Sequence, residues 1–144
     1  MRDTDVRSGD VLTALEKGPI SKLMLLKYAG ASGDYSLHHI DVETARAQGL
    51  KNVVAHGLLT AAFLGQLVTD WAGPESMRRL QVRYAALVYL EDVLTCKGVV
   101  KHIGLAENDR VLATLDVWAE NQNGERVTYG EAEAYLVATH GHAS

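Results

Sequence analysis

A single cysteine, Cys96, occurs among the 144 residues, so the chain cannot form an internal disulfide bond. This shortage favours an intracellular setting, because disulfides persist mainly in secreted proteins. The longest apolar stretch, residues 57–71, is too short to span a bilayer and is interrupted by polar side chains such as Asp70. Residues 1–10 lack the apolar centre of a secretion signal. We therefore expect a cytoplasmic protein with no membrane-embedded segment.

The sequence also lacks an excess of basic residues. Its 14 lysines and arginines are outnumbered by 18 aspartates and glutamates, which gives a formal net charge of −4. Binding to duplex nucleic acid needs a basic face that displaces counterions, so we expect no nucleic-acid partner. Apolar residues make up 47% and charged residues 22%, an ordinary balance for a globular protein. The length predicts one domain, residues 1–144, with one substantial core.

The first half of the chain reads as helical. Ser21 is suited to cap a first helix, and Gly30 and Gly33 are expected to end it. A short second helix is predicted from Asp41 to about Gly49.

A third predicted helix covers residues 57–71 and is apolar on nearly every side. A helix of this kind is expected to be buried all round. Gly65, in its middle, costs about 1 kcal/mol relative to alanine, and a close contact with another backbone would explain its presence.

The second half changes to a period of two. Alternating apolar and polar residues predict strands at 79–84 and 111–118, and a further strand is expected at 93–100. The pair Asn123-Gly124 is typical of a tight turn, and a last strand should follow it from about Val127. Helices followed by antiparallel strands predict an α+β fold in which the long helix lies against the sheet.

Chemistry is most concentrated in residues 28–41, which read YAGASGDYSLHHID. A carboxylate and an imidazole here, Asp34 and His39, could share acid–base work, although turn formation is the commoner role of such a pair taken alone. The second predicted helix would point its positive end at this loop and disfavour imidazolium, while Asp34 would favour it. The sequence leaves open which effect dominates.

A second region, 53–60, reads VVAHGLLT. Gly57 would lie at the start of the long helix, where free N–H groups can bind an oxygen that gains negative charge. His56 is better suited to a hydrogen-bonded structural role than to that of a base, and Cys96 should pack within a strand. His140 and His142, in the C-terminal tail, are expected to be solvated. No spacing of ligands predicts a metal site, and the G-x-S-x-G and phosphate-loop motifs are missing.

Together, the two regions resemble the MaoC-like (R)-specific enoyl-thioester hydratases. The family motif has the form Y-A-x-x-S-G-D-x-N-P-x-H-x-D and is followed downstream by A-H-G-[ML]. The matching residues are Tyr28, Ala29, Ser32, Gly33, Asp34, His39 and Asp41, then Ala55, His56, Gly57 and Leu58. Two departures stand out: the family's Asn-Pro is Ser36-Leu37 here, and a serine that some members carry in the long helix is replaced by Gly65.

The resemblance implies a hot-dog fold, in which a curved antiparallel sheet wraps around one long central helix. It implies catalysis by Asp34 and His39, which hold and activate a water that adds to C3 of a trans-2-enoyl thioester, with Asp34 taking part in delivering a proton to C2. The Gly57 N–H would polarise the thioester carbonyl. The same resemblance places four further residues at the substrate: Ser36, Leu37, His56 and Leu58.

The resemblance implies no organic cofactor and no metal, because the thioester carbonyl supplies the electron sink. The substrate carrier would be coenzyme A or acyl carrier protein, and Arg78, Arg79 and Arg83 could meet its phosphate, although a solvated strand face is the more ordinary interpretation. The reaction is reversible, so the chain could also act as a dehydratase. At least a homodimer is implied, with active sites near the subunit interface, and a hetero-oligomer remains open.

Two rival functions remain open at this point. Some relatives work in pairs in which one chain has lost its catalytic residues, and the Ser36-Leu37 departure keeps that alternative alive. Hot-dog thioesterases act on similar substrates but usually place a carboxylate on or near the long helix, where this chain has only Asp70, at the far end. Bulky acyl groups, including steroid side chains, also remain possible.

Overall fold

A computed structural model of the chain describes residues 5–105 and 107–137, so the tail residues His140 and His142 lie outside the described residues. Within these ranges, five antiparallel strands form one sheet in the order β1-β3-β4-β5-β2. The strands are β1 (Leu15–Lys17), β2 (Met77–Tyr84), β3 (Leu94–Ile103), β4 (Arg110–Glu120) and β5 (Arg126–Val137). The helices are α1 (Lys22–Ser32), α2 (Val42–Ala47) and α3 (Gly57–Ala72), and a 3₁₀ turn covers Leu37–His39.

The sheet confirms the predicted strands of the second half and adds one that the sequence analysis missed. Strand β1 has three residues and precedes every helix, so the prediction that helices come first is wrong in this detail. Three residues are too few to show a period of two, and β1 is held at the sheet edge by its pairing with Leu94–Cys96 of β3.

The first two helices begin where their caps predict. The Ser21 side chain accepts a hydrogen bond from the Met24 N–H at 3.1 Å, and Asp41 caps α2 in the same way through Thr44. Helix α1 ends at Gly33, whose φ of 77° suits glycine. The prediction that Gly30 also stops α1 is wrong, because Gly30 is an ordinary interior residue of the helix.

Helix α3 lies against the sheet, contacting β2, β3, β4 and β5. Its buried side is formed by Leu59, Phe63, Leu64, Leu67 and Val68. The prediction that α3 is buried all round is wrong, because the side chain of Leu58 is 66% exposed and Ala62 and Gln66 are exposed along the same face. None of the helices in the described ranges combines the length and hydropathy needed to cross a membrane.

Gly65 also differs from its prediction. A Cβ added there would meet only the Leu80 Cδ2 atom, at 3.8 Å, and no backbone approaches it. The close backbone approach occurs instead at Gly130 of β5, where an added Cβ would lie 1.9 Å from the Gln81 carbonyl oxygen of the neighbouring strand β2.

The inner face of the sheet packs onto α3 and carries the core. Alternate residues of β4 and β5 are buried: Ala113, Leu115, Val117, Ala132, Ala134 and Leu136. Cys96 is fully buried in β3, as predicted, and burial raises the pKa of its thiol to about 11. An antiparallel sheet wrapped around one long helix is the hot-dog arrangement, so the predicted α+β hot-dog fold is confirmed.

Candidate active site

The segment before α3 brings the two motif regions together. The Val54 N–H donates to the His38 carbonyl oxygen at 3.1 Å, and the Val54 carbonyl accepts from His39 Nδ1 at 2.7 Å. The 3₁₀ turn is therefore fixed against residues 53–56 from both its backbone and its side chain. Gly57 follows directly and begins α3, so the helix start lies beside the turn that carries His39.

His39 is buried, and its tautomer follows from its partner. A carbonyl oxygen only accepts, so Nδ1 carries the hydrogen and Nε2 keeps a bare lone pair. That Nε2 lies 3.7 Å from Oδ2 of Asp34. The pKa of His39 is lowered, chiefly because burial disfavours the charged ring, and neighbouring His56 and His38 lower it further. Burial therefore outweighs the opposing effect of Asp34, and the neutral form of the ring is favoured.

One carboxylate oxygen of Asp34 accepts hydrogen bonds from Ser36, and the other faces His39. Its Oδ1 accepts from the Ser36 hydroxyl at 2.7 Å and from the Ser36 N–H at 3.1 Å. These two bonds are the main reason why the pKa of Asp34 lies below its usual value, with a smaller lowering from His39 and His56. Asp34 therefore takes part in turn formation through Oδ1 while its Oδ2 stays available for chemistry.

His56 is buried directly beneath Asp34 and beside His39. It is 2% exposed, and its Nε2 donates to the Asp34 carbonyl oxygen at 3.0 Å. Its ring stacks on the His39 ring with centroids 3.9 Å apart and 21° between the planes, and the Tyr28 ring makes an edge contact with it at a centroid distance of 4.8 Å. His56 thus holds both Asp34 and His39 in place, which fits the structural role predicted for it.

The site also gathers three groups that could in principle ligate a metal ion, although the spacing of the sequence predicted none. Ligand atoms of Asp34, His39 and His56 lie within 4.8 Å of one another. The two imidazole rings are stacked, with 21° between their planes. His56 Nε2 and His39 Nδ1 are also engaged with carbonyl oxygens. The other two ring nitrogens stay outside these bonds: His56 Nδ1 is buried without a hydrogen-bond partner among the described residues, and His39 Nε2 faces Asp34.

Gly57 lies at the positive end of the 16-residue helix α3. The capping residue, His56, makes no side-chain hydrogen bond to the first turn of α3. The Tyr84 ring covers the other side of Gly57, because a Cβ added to Gly57 would lie 3.1 Å from two atoms of that ring. A larger residue here would have to displace the Tyr84 ring by a few tenths of an ångström, whereas glycine leaves room for a ligand oxygen to approach the helix start.

Two cavities meet at this point. The His39 cavity has a volume of about 370 Å³ and is lined by His39 and by largely apolar walls that include Leu50, Val54 and Val88. The Asp34 cavity has a volume of about 430 Å³ and is lined by Asp34, Tyr28, Ser32, His56 and Leu58. The two cavities share the walls formed by Gly57 and Tyr84.

Only two of the four residues predicted to contact the substrate line the cavities at the site. His56 and Leu58 line the Asp34 cavity, whereas Ser36 and Leu37 line neither of the two cavities. Ser36 instead holds Asp34, and the Leu37 side chain is 56% exposed.

Two contributors were beyond the sequence analysis. The Val54 carbonyl that fixes His39 leaves no trace in a side-chain motif, and the orientation of Tyr84 depends on how β2 crosses α3.

The residues of the alternative interpretations lie elsewhere. Asp70 lines a separate cavity with Thr13 and Trp71 at the far end of α3, away from the Asp34 and His39 side chains. Arg78 and Arg79 form ion pairs with Glu133 on the exposed face of the sheet, as a solvated strand face predicts.

Comparison with known proteins supports the same family. The family model for the MaoC-like domain matches residues 6–121. The beta subunit of the 3-oxo-4,17-pregnadiene-20-carboxyl-CoA hydratase of Mycobacterium tuberculosis is 31% identical over 105 residues, which cover 72% of this chain and 78% of that protein. The mitochondrial 3-hydroxyacyl-[acyl-carrier-protein] dehydratase of Arabidopsis thaliana is 28% identical over 135 residues, covering 92% and 79%.

A solved structure of an R-hydratase from Pseudomonas aeruginosa superposes with a TM-score of 0.77 at 26% identity, covering 94% of this chain and 84% of that one. Since the family match includes the loop of Asp34 and His39 and the start of α3, it covers the elements that form the site. The chain is a member of the MaoC-like dehydratase family.

Proposed function

We propose that this protein catalyses the reversible hydration of trans-2-enoyl thioesters to (R)-3-hydroxyacyl thioesters. The observation that carries the proposal is the pair of acceptors formed by His39 Nε2 and Asp34 Oδ2, 3.7 Å apart and each free of another partner among the described hydrogen bonds. Two acceptors at this separation can take both hydrogens of one water molecule, which leaves a lone pair of its oxygen directed outward as a nucleophile.

The protonation states assign the steps. Neutral His39 takes a proton through Nε2 as the water oxygen bonds to C3, and the electron pair of the C2–C3 double bond moves toward the thioester carbonyl. The imidazolium then returns a proton to C2. Asp34 takes part in this delivery by holding the second hydrogen of the same water beside His39. Asp34 orients the water and stabilises the imidazolium.

Gly57 supports the developing charge. Its N–H lies at the positive end of α3, where it can donate to the carbonyl oxygen as that oxygen becomes an enolate. Removing one such donor typically slows a reaction by roughly a hundredfold to a thousandfold.

The carrier is coenzyme A or acyl carrier protein. The curated relatives include one named for each: a hydratase subunit acting on a CoA thioester and a dehydratase acting on an acyl-carrier-protein thioester. The 31% identity to a protein named as a beta subunit favours one second candidate, a chain that needs a different partner chain for activity. Retention of both Asp34 and His39 favours activity by the chain itself.

A homodimer is part of the proposal. Strand β2 lies at one edge of the described sheet and has a neighbour on one side only. Leu58 and Tyr84, beside the site, are 66% and 52% exposed, and large apolar side chains exposed together are typical of interfaces. A second copy that covers this face would exclude water from the site.

The experiment follows the loss of ultraviolet absorbance of crotonyl-CoA with the purified chain, identifies the stereochemistry of the product, and measures free thiol in the same sample. The proposal expects (R)-3-hydroxybutyryl-CoA without thiol release. Release of free coenzyme A would indicate a thioesterase instead. Activity that appears only after co-expression with a second hydratase chain would establish the partner-dependent candidate.

A further inference from the structure

Tyr84 occupies a position that the catalytic motif does not account for. It is the last residue of β2 and pairs with Thr128 of β5, so the two side chains lie on the same face of the sheet. That face is the inner one, since Thr128 is 1% exposed and lines the His39 cavity. The Tyr84 ring extends from there across the start of α3 and rests against Gly57.

The catalytic pair is divided between the two cavities that meet at Tyr84 and Gly57. His39 lines one cavity and Asp34 lines the other, while Gly57 and Tyr84 are the residues common to both. A substrate that reaches Asp34, His39 and the Gly57 N–H at once must therefore have its C1, C2 and C3 atoms at the boundary, beside the Tyr84 ring.

The two cavities also suit different parts of a thioester. The walls of the His39 cavity include Leu50, Val54 and Val88, which favour an acyl chain. The Asp34 cavity also borders Ser32, which is exposed at the end of α1, and this suits the carrier arm that leads to solvent. With the carbonyl at Gly57, C4 is the first acyl carbon to pass Tyr84 on its way into the His39 cavity.

We infer that Tyr84 is a specificity-determining residue, whose ring limits substitution at C4 of the acyl group because it forms the wall between the two cavities. The inference rests on the proposed function and adds that the enzyme discriminates between acyl groups by their substitution at C4. Straight acyl chains pass the ring, and acyl groups that branch next to the double bond collide with it. Truncation of the side chain joins the two cavities and removes the restriction.

The test measures binding separately from turnover. Calorimetric Kd values are determined for two saturated thioesters, pentanoyl-CoA and 4,4-dimethylpentanoyl-CoA, with the full chain and with Tyr84→Ala, Tyr84→Leu and Tyr84→Phe. The quantity compared is the Kd of the branched thioester divided by the Kd of the straight thioester. This ratio should fall at least about tenfold in Tyr84→Ala, since one or two methyl groups in a pocket change selectivity by about that amount. It should fall by less in Tyr84→Leu. Tyr84→Phe keeps the ring and should keep the native ratio.

Tyr129→Ala is the matched control, because Tyr129 is a tyrosine of similar exposure (41% against 52%) on the opposite face of the same sheet. Its ratio should equal the native one. A ratio that is unchanged in both Tyr84→Ala and Tyr84→Leu, or one that changes equally in Tyr129→Ala, would overturn the inference. If the native chain binds neither thioester, the proposed function itself fails, and that result is distinct from an unchanged ratio.

Discussion

His39 and Asp34 differ from ordinary surface residues in how their partners fix them. One nitrogen of His39 is tied to the Val54 carbonyl, and one oxygen of Asp34 is tied to Ser36. Each residue is left with a single free acceptor, and the two free acceptors face each other. Ser36 stands where the family motif has asparagine, and its hydroxyl and its N–H both donate to the aspartate.

The pH dependence of kcat/KM follows from the two pKa shifts. Burial lowers the pKa of His39 below 6.5, so the proposed base is neutral at pH 7. Activity should fall only when the pH drops through this lowered pKa and the ring becomes protonated. The pKa of Asp34 is lowered as well, from an ordinary value of 3.8, so Asp34 is ionised at neutral pH. We expect a plateau at neutral pH and an acidic limb with a midpoint below 6.5. A midpoint well above 6.5 would contradict the assignment of His39 as a buried base.

At the scale of elements, sequence reasoning succeeded where one local rule decides the outcome. Ser21 and Asp41 cap helices because a short polar side chain can reach the first free N–H groups, and the period of two predicted β4 because one of its faces is buried. It failed where tertiary contacts decide. The exposed face of α3 follows from how the sheet is placed, and β1 exists because β3 offers it an edge.

Two glycine-to-alanine substitutions compare a local rule with a tertiary contact, and they should change the free energy of unfolding in opposite directions. Gly30 lies inside α1 and an added Cβ meets nothing within 4 Å, so Gly30→Ala should raise the free energy of unfolding by up to about 1 kcal/mol. Gly130→Ala places its Cβ 1.9 Å from the Gln81 oxygen and should lower it by at least about 1–3 kcal/mol. Urea unfolding measures both. Equal changes in the free energy of unfolding for the two variants would contradict the close approach of β2 to Gly130 of β5.

At the scale of the whole molecule, the chain completes a hot-dog fold but leaves an apolar face beside its site. That face includes Leu58 at the start of α3 and Tyr84 at the end of the edge strand β2. From the sequence, the family could be predicted, because its motif lies in two short stretches of the chain, and the family match confirms it. The catalytic pair was predicted from the same motif and stays a prediction. The wall formed by Tyr84 and the exposed position of Leu58 could not be predicted, because they depend on residues brought together from distant parts of the chain.

Sedimentation velocity tests the proposed dimer. The native chain should sediment at twice its mass of 15.6 kDa, or about 31 kDa, since two-fold dimers are the commonest assemblies. Leu58→Asp should shift the protein to monomer, because it buries a charge at the interface. Leu105→Asp is the control, since Leu105 is 97% exposed in the β3–β4 connection, far along the chain from Leu58 and Tyr84. A monomeric native chain with full hydratase activity would contradict the dimer.

The most direct measurement of the central claim is kcat/KM for hydration of crotonyl-CoA by the native chain, Asp34→Asn and His39→Ala, with Tyr35→Phe as the control because Tyr35 is 62% exposed on the same loop. Loss of the base or of its partner should lower kcat/KM by at least about a hundredfold, while the control stays near the native value. Hydration that survives either substitution at a near-native rate would contradict the assignment of the catalytic pair.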